Sequence, residues 1–148
     1  MAKAIGLNSL NFMYNMERFA TKIYQTQRST FMKTEIADKL RAATENEQQH
    51  ANNLEGRILE LNGNPSHLGF LFQIAGRLLG LATRSLGKLF MLKIDIWIEK
   101  RAIKDYRSFL KSVEFDEKSV GLIERIITDE ERHVDTWENS IKILKNKQ

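Results

Sequence analysis

Two Glu-x-x-His segments and two further glutamates are the residues whose types and spacing could do chemistry. The segments are Glu47–His50 and Glu130–His133, and the further glutamates are Glu17 and Glu99. Side chains three residues apart lie one turn apart on the same face of a helix, so the carboxylate and the imidazole of each segment can reach one metal ion. Four carboxylates and two imidazoles without a thiolate favour two iron ions, with manganese as the alternative, over a structural zinc ion.

The surrounding sequence predicts the helices that must hold these residues. Apolar side chains recur at alternating steps of three and four, the spacing that turns one stripe of a helix toward its neighbours. The stripes predict long helices near residues 8–28, 32–62, 88–113 and 117–146, and a shorter helix within residues 67–86. Gly63 and Pro65 mark the end of the second helix as a cap and a breaker.

The six candidate ligands occupy stripe positions where leucine or isoleucine is expected. An ionised carboxylate buried without a partner is costly, and four that converge would also repel one another. Two divalent cations at that level of the bundle would offset both effects. The set also matches a known arrangement, in which two helices each supply one glutamate and the other two each supply a Glu-x-x-His pair. We therefore predict a metal centre between the four long helices.

An internal repeat supports this prediction. Glu17 precedes Glu47 by 30 residues, and Glu99 precedes Glu130 by 31. Two helix pairs related by an approximate twofold axis would give each ion one glutamate and one histidine of its own and leave two carboxylates to bridge. A single Glu-x-x-His is weak evidence because any acidic helix can carry one by chance. Two of them in register with two matched glutamates are a strong signal.

Two tyrosines accompany the repeat. Tyr24 and Tyr106 each lie seven residues beyond the single glutamate of their half, on the same stripe. They are either core tyrosines with a satisfied hydroxyl or groups that take part in the chemistry, and we keep both as catalytic candidates. Asp129 is, in the same way, either an exposed acid or an acceptor that orients His50 across the bundle.

Composition and charge limit the remaining possibilities. One proline among 148 residues and a hydrophobic fraction of 42% indicate an all-α protein with a single domain over residues 1–148. The absence of cysteine excludes disulfides, iron–sulfur clusters and a rubredoxin site, so electrons for redox chemistry must come from an external donor. The net charge of +4 is scattered along the chain, which argues against a nucleic-acid partner. No signal peptide is recognised, so we expect a cytoplasmic protein.

The connection between the second and third long helices is rich in large apolar side chains. They are Leu68, Phe70, Leu71, Phe72, Ile74, Leu78, Leu79 and Leu81. Two interpretations stand side by side: a lid that packs on the bundle, or a surface for a lipophilic substrate or a peripheral membrane contact. No apolar run reaches the roughly 18 residues that span a bilayer. Trp97 and Trp137 are predicted to pack in the interior, and His67 to lie in a solvated loop.

With these residues the chain resembles the ferritin-like di-iron superfamily and, within it, the demethoxyubiquinone hydroxylase family. The similarity covers about residues 14–140. Beyond the six predicted ligands it includes Ile23-Tyr24 with Gln27, Pro65 ten residues ahead of Ala75-Gly76, the segment from Gly76 to Gly80, Leu86-Gly87-Lys88, and Tyr106. The chain departs from the family at Tyr14-Asn15-Met16, where the family has His-Ala-Gly, and at Asp105, where it has histidine.

The resemblance implies both a fold and an activity. The fold is an all-α, ferritin-like antiparallel four-helix bundle with a long crossover between helices 2 and 3 that carries a short helix. The activity is that of a di-iron oxidoreductase, a monooxygenase that activates dioxygen to hydroxylate a small lipophilic, quinone-like substrate. A rubrerythrin-like ferroxidase or peroxidase is the second choice, although the extra glutamate of rubrerythrins would fall at Ala102. A non-catalytic iron-binding or storage protein is the third, and a homodimer is compatible with all three.

Overall fold

Five α-helices make up most of residues 2–146. A computed structural model describes the backbone of residues 2–146 and the side chains of residues 5–146. The helices are α1 (Ala2–Gln27), α2 (Glu35–Glu60), α3 (Gly69–Ser85), α4 (Lys88–Ser112) and α5 (Glu117–Asn146), and a short 3-10 helix (Arg28–Phe31) links α1 to α2. The predicted all-α class is confirmed, and each predicted helix is present. The largest difference is that α1 begins six residues earlier than the apolar stripe indicated.

The four long helices α1, α2, α4 and α5 form an antiparallel bundle. Tyr24 on α1 donates a hydrogen bond to Glu99 on α4, while Tyr106 on α4 donates one to Glu17 on α1, so these two helices run in opposite directions. Helix α2 also runs opposite to α1, to which it is joined by a short connection. Helices α2 and α4 therefore point the same way, and the chain must return along the length of the bundle between them. Helix α3 makes this return, as expected for the crossover.

Helix α3 packs on the outside of α1 through glycines. A Cβ atom at Gly76 would lie 2.3 Å from the carbonyl oxygen of Phe19, and one at Gly80 would lie 3.0 Å from that of Ile23. Only glycine permits so close an approach of the two backbones. The large apolar side chains consequently point away from the bundle, and those of Leu68, Phe70, Leu71, Ile74, Leu78 and Leu81 are exposed.

Two apolar clusters fill the bundle above and below a polar layer. One contains Leu10, Met13, Leu54, Ile58, Ile103, Ile123 and Ile126. The other contains Ile23, Phe31, Ile36, Leu40, Met91, Leu92 and Trp137. The layer between them holds the side chains that interrupt the predicted stripes. Burial of these clusters, at about 25 cal/mol per Å² of apolar surface, holds the polar layer in place.

Two local predictions are corrected. At the end of α2 the left-handed residue is Asn62, with φ 57°, rather than Gly63, although the backbone N–H of Gly63 does bond to the carbonyl of Ile58 at 2.9 Å. Asparagine tolerates this conformation, so the cap forms one residue earlier. Trp97 was expected in the interior but is 64% exposed, because it lies off the stripe on the outer side of α4; Trp137 is fully buried as predicted.

Candidate metal centre

The six predicted ligands come from all four long helices and meet in the polar layer. Glu17 lies on α1, Glu47 and His50 on α2, Glu99 on α4, and Glu130 and His133 on α5. Each glutamate is at most 2% exposed as a residue. The side chain of His50 is 4% exposed and that of His133 is 12% exposed. The stripes therefore place all six groups inside the bundle, where apolar residues would otherwise lie.

These groups form two overlapping sets, each able to surround one ion. The first set is Glu17, Glu47, His50 and Glu130, and the second is Glu47, Glu99, Glu130 and His133. Within each set, one ligand atom per residue lies within 4.8 Å of every other. Glu47 and Glu130 belong to both sets, so their carboxylates are positioned to bridge. Each ion would then have one glutamate and one histidine of its own, the arrangement that the internal repeat predicts.

The same ring atom of each histidine faces the carboxylates. His50 Nδ1 lies 3.3 Å from Glu17 Oε2 and 3.3 Å from Glu130 Oε1. His133 Nδ1 lies 2.9 Å from Glu47 Oε1 and 3.3 Å from Glu99 Oε1. The Nδ1 atoms are therefore the ones available to bind metal, and each Nε2 points away from the centre.

The donor set fits two divalent cations in number, charge and orientation. Glu47 Oε1 and Glu130 Oε1 are buried yet make no hydrogen bond of acceptable geometry, although buried polar atoms are normally satisfied. Two ions of charge +2 would neutralise four carboxylates and leave the imidazoles neutral, as metal binding requires. Oxygen-rich ligation with two imidazoles suits iron or manganese.

The crowding of buried carboxylates also raises the pKa values of several groups in the cluster. Burial, followed by repulsion from Glu17, raises the pKa of Glu47, and burial followed by repulsion from Glu130 raises the pKa of Glu99. Burial opposes protonation of His50, but the polar contacts of its ring with the surrounding carboxylates outweigh burial and raise its pKa. The same balance raises the pKa of His133. Bound cations would displace these protons.

The two tyrosines support the glutamates of the opposite half. Tyr24, on the helix of Glu17, donates to Glu99, and Tyr106, on the helix of Glu99, donates to Glu17. Both tyrosines are 1% exposed. Burial and the neighbouring carboxylates raise the pKa of each hydroxyl, which keeps it a donor. These are therefore core tyrosines whose hydroxyls are satisfied by predicted ligands, and their part in catalysis stays a prediction.

Asp129 lies on the side of His50 that faces away from the predicted metal ligands. The sequence left open whether it is an exposed acid or an acceptor that orients His50. His50 Nε2 lies 3.1 Å from Asp129 Oδ2. Because an ionised carboxylate can only accept, Asp129 fixes one proton of His50 on Nε2. The proton that Nδ1 shares with the ligand carboxylates is then the one that a bound cation would displace. Asp129 is also in contact with Arg132, whose Nη1 donates to Oδ1 at 2.7 Å.

The sequence analysis missed a buried acid next to the centre. Asp95 on α4 is fully buried, and Gln27 Nε2 donates to its Oδ1 at 2.9 Å and to Thr83 Oγ1 at 3.1 Å. Burial raises the pKa of Asp95 to about 8. The sequence signal was its position one turn before Glu99, but Asp95 looked like one of several charges that interrupt an apolar segment.

The fold and the clustered groups define a ferritin-like bundle protein with a carboxylate–histidine centre. The chain belongs to the family of the ubiquinone biosynthesis protein COQ7, whose family model matches residues 16–143. This family lies within the ferritin-like di-iron superfamily, so the resemblance recognised in the sequence is confirmed.

Two curated relatives share this similarity. A 3-demethoxyubiquinol 3-hydroxylase of Dechloromonas aromatica is 31% identical over 118 residues, which cover 79% of this chain and 57% of that protein. A 3-demethoxyubiquinol 3-hydroxylase of Alcanivorax borkumensis is 30% identical over 133 residues, which cover 89% of this chain and 60% of that protein. The chain thus spans about three fifths of the length of the curated relatives it matches.

Proposed function

We propose that this protein is a di-iron monooxygenase that hydroxylates a quinol-like, lipophilic substrate with dioxygen. The observation that carries the proposal is the pair of overlapping four-residue sets, which share Glu47 and Glu130 and lie buried in one layer of the bundle. The names of the two relatives supply the substrate class. In this reaction one oxygen atom enters the substrate, the other leaves as water, and an external donor supplies two electrons.

The residues of the chain hold the ions and shape their surroundings. Glu17 and His50 would hold one ion, Glu99 and His133 the other, and the shared glutamates both. When bound, two iron ions supply the redox capacity to reduce dioxygen and the Lewis acidity to bind it. Tyr24 and Tyr106 keep their partner carboxylates oriented, and the apolar clusters on either side keep bulk water out.

A lipophilic substrate calls for a lipophilic surface, and α3 provides one. Its exposed apolar side chains lie beside Arg77, Arg84 and Lys88, which are also exposed. An amphipathic helix with cations at its flanks suits the surface of an anionic bilayer. Among the helices of residues 2–146, none combines the length and apolarity that crossing a bilayer requires. We therefore propose a peripheral contact through α3.

The hydroxylase proposal is tested by following oxygen into a product. Iron-loaded, reduced protein is mixed with a water-soluble quinol analogue and ¹⁸O₂, and the product is analysed by mass spectrometry. We expect one ¹⁸O atom in the product and further turnovers only when an external reductant is present.

Two glutamate variants make the test specific. Glu47→Ala should abolish incorporation because Glu47 belongs to both metal sets, whereas Glu124→Ala removes an exposed glutamate of α5 and should leave it unchanged. Oxygen consumption without incorporation, with oxidised iron as the only product, would instead indicate the ferroxidase alternative.

A further inference from the structure

The internal repeat of the chain is broken at one pair of equivalent positions next to the metal centre. The residue just before each Glu-x-x-His glutamate is Asn46 on α2 and Asp129 on α5. The twofold relation that matches Tyr24 with Tyr106 also matches these two positions. One half of the site thus has an amide where the other half has a carboxylate.

The carboxylate supports His50. Asp129 Oδ2 accepts from His50 Nε2 at 3.1 Å, and Arg132 holds the other oxygen of Asp129 at 2.7 Å. The side chain of His50 is 4% exposed. Its ring is therefore fixed in orientation, with Nε2 held on Asp129 and Nδ1 directed at Glu17, Glu47 and Glu130.

The second histidine lacks such support. Among the residues that the structure describes, His133 Nε2 has no hydrogen-bond partner. The ring borders a cavity of about 360 Å³ between α2 and α5, which Asn46, Asp129 and the small residues Ala42 and Ala43 also line. The His133 side chain is 12% exposed, three times as much as that of His50.

A carboxylate behind a metal-bound imidazole raises the basicity of the ring and holds it in place. Loss of such a partner typically lowers metal affinity about 10–100-fold. Asn46 makes no hydrogen bond to His133, and an amide that did accept one would bind more weakly than a carboxylate, because hydrogen bonds to ionised acceptors are roughly twice as strong. The two halves of the centre should differ in affinity for this reason, and the α2–α5 cavity, which His133 lines and His50 does not, gives solvent access to the His133 ring.

We propose that the two metal subsites are inequivalent and fill in order. The subsite of Glu17 and His50 binds its ion first and tightly, while the subsite of Glu99 and His133 binds second, more weakly and exchangeably, through the α2–α5 cavity. This inference rests on the proposed di-metal function and goes beyond it, because the family and the relatives name an activity and say nothing of the order in which the ions bind.

Two matched alanine substitutions each remove one glutamate and isolate the opposite subsite. Glu99→Ala leaves the His50 subsite intact, and Glu17→Ala leaves the His133 subsite intact; each also frees one tyrosine hydroxyl. Metal-free protein is titrated with Co²⁺ by calorimetry, with circular dichroism as the check on folding. We expect one ion per chain in both variants and a dissociation constant about 10–100-fold lower for Glu99→Ala than for Glu17→Ala.

Exchanging the residues at positions 46 and 129 tests whether the Asp129 carboxylate causes the difference in metal affinity. The double variant Asn46→Asp/Asp129→Asn preserves net charge and volume but moves the carboxylate from one half to the other. When this exchange is introduced into Glu99→Ala and Glu17→Ala, it should reverse their order of Co²⁺ affinity. It should also speed the release of Co²⁺ from the His50 subsite to a chelator.

The outcomes separate this inference from the proposed function. Equal Co²⁺ dissociation constants in Glu99→Ala and Glu17→Ala would overturn the inequivalence. So would an order of affinity that the Asn46→Asp/Asp129→Asn exchange does not reverse. In both cases the parent protein would still bind two ions. A parent protein that binds no Co²⁺ stoichiometrically would instead overturn the di-metal proposal itself.

Discussion

Single side chains decide how firmly the predicted ligands are held, and the tyrosines illustrate this at the residue scale. Tyr24→Phe and Tyr106→Phe each remove one hydroxyl that donates to a buried glutamate. We expect each variant to weaken Co²⁺ binding about tenfold at the subsite of the glutamate it supports. Calorimetric titration of metal-free protein measures this.

The control for both variants is Tyr14→Phe. Tyr14 is also buried on α1, but its hydroxyl accepts from Arg18 rather than donating to the cluster. If Tyr14→Phe weakened metal binding as much as the other two changes, the effect would be one of folding rather than of ligand support.

Most of the candidate site was predictable because burying a charge conflicts so strongly with an apolar stripe. The six groups were found from helical periodicity together with the two Glu-x-x-His spacings and the internal repeat, since each takes a position that an aliphatic residue should occupy. Whether Asp129 reaches His50 depends on the rotation and offset of α5 against α2, which no local pattern encodes. Asp95 was missed because one acid in a segment with several charges does not break a pattern.

At the scale of elements, the position of α3 depends on its glycines. Gly76→Ala would place a methyl group 2.3 Å from the Phe19 carbonyl oxygen, so α3 must move away from α1. We expect a loss of about 1–3 kcal/mol in the free energy of unfolding, measured in urea.

Gly56→Ala is the matched control, because a Cβ there would meet nothing within 4 Å on helix α2. Helix propensity alone should make that variant more stable by about 0.5–1 kcal/mol. If Gly76→Ala were equally stabilising, the close packing of α3 on α1 would be wrong.

Asp95 belongs to a hydrogen-bonded group in which Gln27 links three helices, and its titration should make the stability of the protein depend on pH. Gln27 on α1 bonds to both Asp95 on α4 and Thr83 on α3, and burial raises the pKa of Asp95 to about 8. Its pKa in the unfolded chain is about 3.9, so the folded state holds an extra proton between these values. This contribution to stability is complete below pH 4 and is lost as the pH rises through 8.

Urea unfolding of the parent and of Asp95→Asn, in the same metal state, measures the effect. Between pH 6 and pH 9 the parent should lose on the order of 2 kcal/mol relative to the variant, whose amide does not titrate. A constant difference between the two proteins over this range would show that Asp95 is already ionised at pH 6.

The helices themselves were largely predictable, because the apolar stripes are long and regular. The direction in which α3 turns its side chains was not. Large apolar residues ordinarily indicate burial, so a lid and an exposed surface were both open. The close backbone contact at Gly76 and Gly80 sets the orientation of α3. Its glycine face packs on α1, and its large apolar side chains point outward.

For the whole molecule, the proposed peripheral contact with a bilayer depends on the exposed apolar face of α3. We expect the protein to sediment with vesicles that contain anionic phospholipid. Leu78→Glu, at a side chain 61% exposed on α3, should reduce the bound fraction severalfold. Leu59→Glu is the matched control, because Leu59 is 55% exposed on α2. Equal losses from both variants would mean that α3 has no special part in membrane contact.

At the scale of the whole molecule, the proposal is that two bound cations resolve the repulsion among the buried carboxylates. Anaerobic calorimetric titration of metal-free protein with Fe²⁺, which counts bound ions at saturation without a desalting step, tests this most directly. The account predicts two iron ions per chain in the parent protein and a loss of both in Glu47→Ala. Substoichiometric iron in a correctly folded parent, or two ions retained by Glu47→Ala, would contradict it.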